Sequence, residues 1–187
     1  MIDALVELLR RLAGRIPDDG LAQMRTLLGI RDINHLEHVL PRRLAEFRVG
    51  LTAAERALLA EAGFAMNSAV ISALPAAGAL PEYRFVPARE ASMADDHLLA
   101  KASTVPSLQR VLKARRIPAS ATAPGPEAII YVAVFAIGED VSRQQTNLHW
   151  GLAPAQLEAV VRGERLPAYQ AAALAAGAEI WPRNCDI

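Results

Sequence analysis

The sequence predicts a mixed fold, α+β or α/β. A helical N-terminal part over residues 1–80 packs on a small, mostly parallel sheet of three to four strands with covering helices, over residues 81–187. Three observations predict it. Apolar side chains recur at helical spacing through the first eighty residues. Residues 128–137 form an unbroken apolar, β-branched run, as a central strand covered on both faces does. From Tyr83 onward strand-like and helix-like segments alternate, the pattern of parallel strands joined by crossover helices. A chain of 187 residues holds one domain, or two small ones sharing a core.

The elements follow in order. Ala4, Leu5, Leu8, Leu9 and Leu12 share one helix face, and Gly14 ends the helix. Pro17-Asp18-Asp19 starts a second helix, its acids complementing the helix dipole, with Leu21, Met24, Leu27 and Leu28 on one face. Asp32 caps a third helix carrying Ile33, Leu36, Val39 and Leu40, which Pro41 closes or kinks. Thr52 and Glu55 have capping-box spacing, and Gly63 suits that helix's far end. A short helix over 65–74 precedes Pro75. Tyr83–Val86 is aromatic, β-branched and bounded by prolines, hence a strand. Ser92 caps a helix from Met93. The helical pattern breaks at Val105-Pro106 and resumes through Leu108, Val111 and Leu112. Residues 117–127, with three prolines and a glycine, form a loop. After the strand 128–137, a helix runs from Gly138 to Trp150. Gln156–Arg162 reads as a strand, Gly163–Arg165 as a turn, Pro167 as the start of a helix through Ala176, and Ala178–Trp181 as a last strand.

Composition narrows the function classes. Twenty basic and twenty acidic residues cancel, which disfavours nucleic acid as a partner. One cysteine, Cys185, excludes an intrachain disulfide and a Cys-rich metal site. Arginine outnumbers lysine 18 to 2, the bias of GC-rich codons, so the gene reads as bacterial. The first residues lack the basic start of a secretory signal, and the longest apolar run is shorter than the ~20 residues of a membrane span. The expected location is therefore the cytoplasm, with no membrane partner.

Motifs that carry chemistry are sparse. There is no phosphate-binding glycine loop, no Gly-x-Ser-x-Gly elbow and no His-Glu-x-x-His. His35 and His38, three apart on a helix, fit a solvated face better than a metal site. Asp95-Asp96-His97 falls in a first helical turn, where acids are favoured without a catalytic role. The one local charge excess is Arg110, Lys113, Arg115 and Arg116, read as the solvated end of a helix and a candidate interaction patch. Tyr169, Trp150 and Trp181 read as packing residues, and no cofactor or metal is expected.

Three resemblances accompany these residues. Leu166-Pro-Ala-Tyr-Gln-Ala-Ala-Ala-Leu174 followed by Trp181, together with the Tyr83-Arg-Phe85 and Tyr131-Val-Ala-Val134 strands, resembles a group of uncharacterised proteins from GC-rich bacteria and implies no activity. The segment Ser142–Pro167 resembles the helix-turn-helix of phage-repressor-like regulators. That resemblance implies a turn at Gly151, a recognition helix over 154–162, and Gln156 and Arg162 facing DNA. Polar Thr146 and Asn147 oppose it, since such a unit buries apolar residues there. Tyr83-Arg84-Phe85 resembles the early strand of ADP-ribosyltransferase-like toxins, which implies a Ser-Thr-Ser-like strand, for which Ser103-Thr104 stands in the wrong context, and a late glutamate, Glu158 or Glu179. The expected function is a non-enzymatic interaction or accessory module whose partner is another protein or a second copy. A DNA-binding regulator and a toxin-like enzyme are the alternatives.

Overall fold

A computed structural model describes residues 1–120, 123–149, 152 and 156–182. Five helices come first: α1 (Ile2–Arg11), α2 (Asp18–Gly29), α3 (Ile33–Glu46), α4 (Ala53–Glu61) and the single turn α5 (Ala69–Ser72). The leucines on the α1 face are all buried, and they seed a core shared with Leu21, Met24, Leu36, Leu40 and Leu44. Helix α3 runs through Pro41, where the sequence suggested a stop. Burial of Leu36, Leu40 and Leu44 along one stripe offsets the hydrogen bond that proline removes. Thr52 and Glu55 form the expected capping box at α4.

The remaining elements build one sheet and its cover: β1 (Tyr83–Pro87), α6 (Met93–Ala102), β2 (Leu108–Pro118), β3 (Ala128–Phe135), α7 (Val141–His149), β4 (Gln156–Val161), α8 (Ala168–Ala176) and β5 (Ala178–Pro182). Among the described residues the sheet has five strands. In order across it run β1, β2, β3 and β4, with β5 continuing the β1 side of β2. Only β3 and β4 are parallel, joined through α7; the other three pairings are antiparallel. The expectation of a mostly parallel sheet is therefore corrected. Its source is the segment 108–116, which reads from sequence as helix and folds, together with Ile117 and Pro118 of the expected loop, as the longest strand. A bulge at Gln109, between Leu108 and Arg110, breaks the strict alternation of β2, so that Leu108 and Val111 share one face and Leu112 lies on the other. Buried Leu108, Val111 and Leu112 thereby acquire the three- and four-residue spacing of a helix face. With β2 a strand through Pro118, the rest of the proline-rich segment connects it to β3 as a hairpin, and a hairpin is antiparallel.

β3 has the predicted two-sided burial. Tyr131, Ala133 and Phe135 face α6 and α7, while Ile130, Val132 and Val134 face α8. Ile129 is half-buried on the first of these faces. Helix α2 packs closely on α7. A Cβ on Gly29 would meet the backbone oxygen of Ser142 at 2.7 Å, so glycine is required at this crossing. Polar Thr146 is accommodated there because its hydroxyl donates to the carbonyls of Arg25 and Ser142. No helix among the described residues is long and apolar enough to cross a membrane.

Candidate functional site

A cleft of about 910 Å³ opens where the end of α1, strand β1 and the start of α8 meet, and every residue lining it is described. Strand alternation turns Tyr83 and Phe85 to the α8 side of the sheet. Pro167 caps α8 and sets Tyr169 in its first turn, across from them. The three rings pack edge-to-face, Tyr83 and Tyr169 at 5.7 Å and Phe85 and Tyr169 at 5.1 Å between centroids. Gly14 closes the floor at φ +74°. A Cβ there would stand 2.6 Å from the Tyr169 ring and 2.8 Å from that of Tyr83. This close approach, together with the left-handed backbone, accounts for the glycine.

Most polar groups of the cleft are engaged in structure, while Glu82 and Arg165 at its rim are exposed. The Tyr83 hydroxyl donates to the Gly14 carbonyl at 2.7 Å, and burial pushes its pKa up to about 12. The hydroxyl of Tyr169 accepts from Arg116, and burial together with the Glu158 charge pushes its pKa up as well. Arg11 pairs with Glu7 and Arg15 with Glu55. What faces solvent is largely ring, proline and alkyl surface: Leu80, Pro81, Phe85, Leu166 and Pro167. Leu80 at the rim is 56% exposed.

Behind the cleft lies a network of buried charge that joins the helical part to the sheet. Glu158, fully buried on β4, receives both guanidinium nitrogens of Arg25 at 2.8 and 2.7 Å. It also accepts the amides of Gln156 and Gln170, each at 2.8 Å. Gln170 belongs to the Leu166–Gln170 motif, whose preceding residues line the cleft. Arg116 is buried and forks onto Asp18 at 2.7 and 2.8 Å, with its guanidinium over the Tyr83 ring. Burial opposes that charge, and Asp18 and Tyr169 more than compensate, so its pKa rises. On the opposite face Lys113 bonds Asp95 at 2.9 Å, and Asp95 also accepts from Tyr131. Burial alone would raise the Asp95 pKa; these two donors hold it below the ordinary carboxylate value.

The residues singled out from sequence fall as follows. Arg110, Lys113, Arg115 and Arg116 all lie on strand β2, not on a helix end, and none is a free cation. Arg110 pairs with Glu179, Lys113 with Asp95, Arg115 with Glu90 and Glu127, and Arg116 with Asp18. No basic patch forms there. The recognition helix implied over 154–162 is strand β4 across its described residues, and Gln156 is buried against Glu158, out of reach of any duplex. Arg162 is exposed just beyond that strand. The toxin-like constellation does not assemble. Arg84 is exposed on the face of β1 away from the cleft, the Ser103 and Thr104 hydroxyls bond back to their own helix, and Glu158 and Glu179 are bound to arginines. His35 and His38 are exposed, and no metal-binding group of three occurs among the described residues. Trp181 is half-buried, whereas Trp150, Gly151 and Cys185 lie outside the described residues.

Sequence reasoning missed the ion pairs themselves. Arg25 and Glu158 stand 133 positions apart, and no local spacing signals such a pair. The one available sign was a glutamate and a glutamine alternating within an otherwise apolar strand. No protein-family model, no curated protein and no solved structure matches the chain.

Proposed function

We propose that this chain is a non-enzymatic protein-interaction module and that the α1/β1/α8 cleft is where its partner docks. One observation carries the reading. Two motifs some eighty residues apart, Tyr83–Phe85 and Leu166–Tyr169, converge on a single open cleft. Its exposed surface is largely aromatic, proline and alkyl, with charge at the rim, and its inward-facing hydroxyls are already bonded within the fold. Aromatic side chains in a concave patch supply the anchoring area that interfaces depend on. The described lining offers no serine, cysteine or histidine for nucleophilic or acid–base work, and two of its acids, Glu7 and Glu55, are held by arginines. The accessible charges are mixed in sign, as on the polar rim of a protein–protein contact.

The test is a displayed library of random peptides panned on the purified chain and on Ala172→Trp. Ala172 lines the cleft from the exposed side of α8, so the indole fills the cleft without entering the core. The reading expects apolar-anchored peptides to be enriched on the wild type and not on the variant. Absence of enrichment, or equal enrichment on both, contradicts it.

A further inference from the structure

The two edges of the sheet are treated differently. On β4 the carbonyls of Leu157 and Ala159 point away from β3, and side chains from the covering helices seal them. Arg25 and Gln145 donate to Leu157, and Arg10 donates to Ala159. At the other edge, Ala119 donates to the Glu82 carbonyl and Ala88 to the Lys113 carbonyl. With the register of β1 on β2, this sets the alternation: even-numbered residues of β1 bond β2, and Tyr83 and Phe85 turn their N–H and C=O groups outward. No described residue bonds those outward groups. Strand β5 occupies the same side of β2 but pairs with residues 110–113, beyond the end of β1, so it leaves the β1 edge open. The side chains of the same two residues, Tyr83 and Phe85, line the cleft.

Charge selects the occupant. Arg84 on β1, Arg89 just after it and Arg165 at the cleft are exposed, and none has an ion pair among the described residues. Glu82 is the acid beside β1 in the same condition, and Arg115, opposite Val86, is shared by Glu90 and Glu127, which adds one further negative charge and still leaves the three arginines in excess. The uncompensated charge around this edge is thus positive.

Resting on the interaction reading above, we propose that the partner enters as an extended, acidic segment that adds to the sheet along β1. Its backbone pairs with Tyr83 and Phe85. Its alternate side chains drop into the cleft, and its acids face Arg84 and Arg165. Strand addition of this kind takes affinity from main-chain bonds and specificity from pockets for alternate side chains. Pro87 limits the pairing to the first part of β1, since it has no N–H to offer.

The experiment is residue-resolved hydrogen exchange on the full chain, with and without a peptide enriched from the library. In the free chain the amides of Tyr83 and Phe85 exchange faster than those of Arg84 and Val86, which bond β2. Saturating peptide slows Tyr83 and Phe85 by at least about tenfold. The enriched peptides carry net negative charge, and Arg84→Glu, which changes an exposed side chain, weakens them by roughly fivefold. A peptide that competes at the cleft yet leaves the Tyr83 and Phe85 amides fast overturns strand addition and leaves the cleft reading intact. Enriched peptides that are neutral or basic overturn the acidic partner. Capture of no peptide removes both readings together.

Discussion

Strands β2 and β3 lie side by side at the centre of the sheet, and they reach that position by different physics. β3 has no charged residue, and burial of its own apolar side chains holds it there, with the Tyr131 hydroxyl its one side-chain donor, given to Asp95. β2 carries four cations, of which Lys113 and Arg116 are as inaccessible as the leucines around them. Each of those two charges is met by a carboxylate from another part of the chain, Asp95 from α6 and Asp18 from α2. The difference shows that a strand's centrality is visible in its own residues only when those residues are sufficient to bury it. Where burial depends on a distant partner, the local sequence resembles a solvated surface.

The sharpest way to break the contrast is to place an unpartnered charge in β3. Val132→Asp puts a carboxylate on a fully buried position in register with the buried Glu158, a second acid beside one whose arginine is already engaged, and should cost several kcal/mol, enough to abolish a soluble folded form. A soluble, cooperatively unfolding Val132→Asp protein would contradict the central placement of β3. The paired charges respond differently. Arg25→Leu strands Glu158 in the interior and should cost about 3–5 kcal/mol, whereas Arg25→Leu with Glu158→Leu should recover most of that loss. Urea unfolding of the single and double variants measures the recovery, and equal destabilisation by both would mean that the charges are not coupled. Gly14→Ala should cost roughly 2 kcal/mol, from the left-handed backbone and the displaced Tyr83 and Tyr169 rings. A thermal midpoint equal to that of the wild type would deny the close approach. Thr52→Ala is smaller, about 1 kcal/mol, the ordinary worth of a capping hydroxyl. A change near zero in urea would show that the box at α4 is not needed.

What was legible in the sequence follows the same division. Leucines spaced along α1 and α2, the capping residues Thr52 and Ser92, and the apolar run of β3 all state their roles within a few residues. Strand β4 was read as a strand because Leu157, Ala159 and Val161 alternate with Gln156 and Glu158. β2 does not read as one, because the bulge at Gln109 gives its buried residues a helix-like spacing and its cations suggest solvent. The cleft was only half visible. Its two motifs were noticed, but their convergence depends on Gly14, Asp18 and Arg116, which bring α1 and α2 against β1 and α8 through long-range contacts.

The most direct test of the account is the structure of the chain with a library-selected peptide bound. The account predicts the peptide seated between α1, β1 and α8, with an apolar side chain against Tyr83, Phe85 and Tyr169. A peptide bound on any other surface, with this cleft empty, would contradict it.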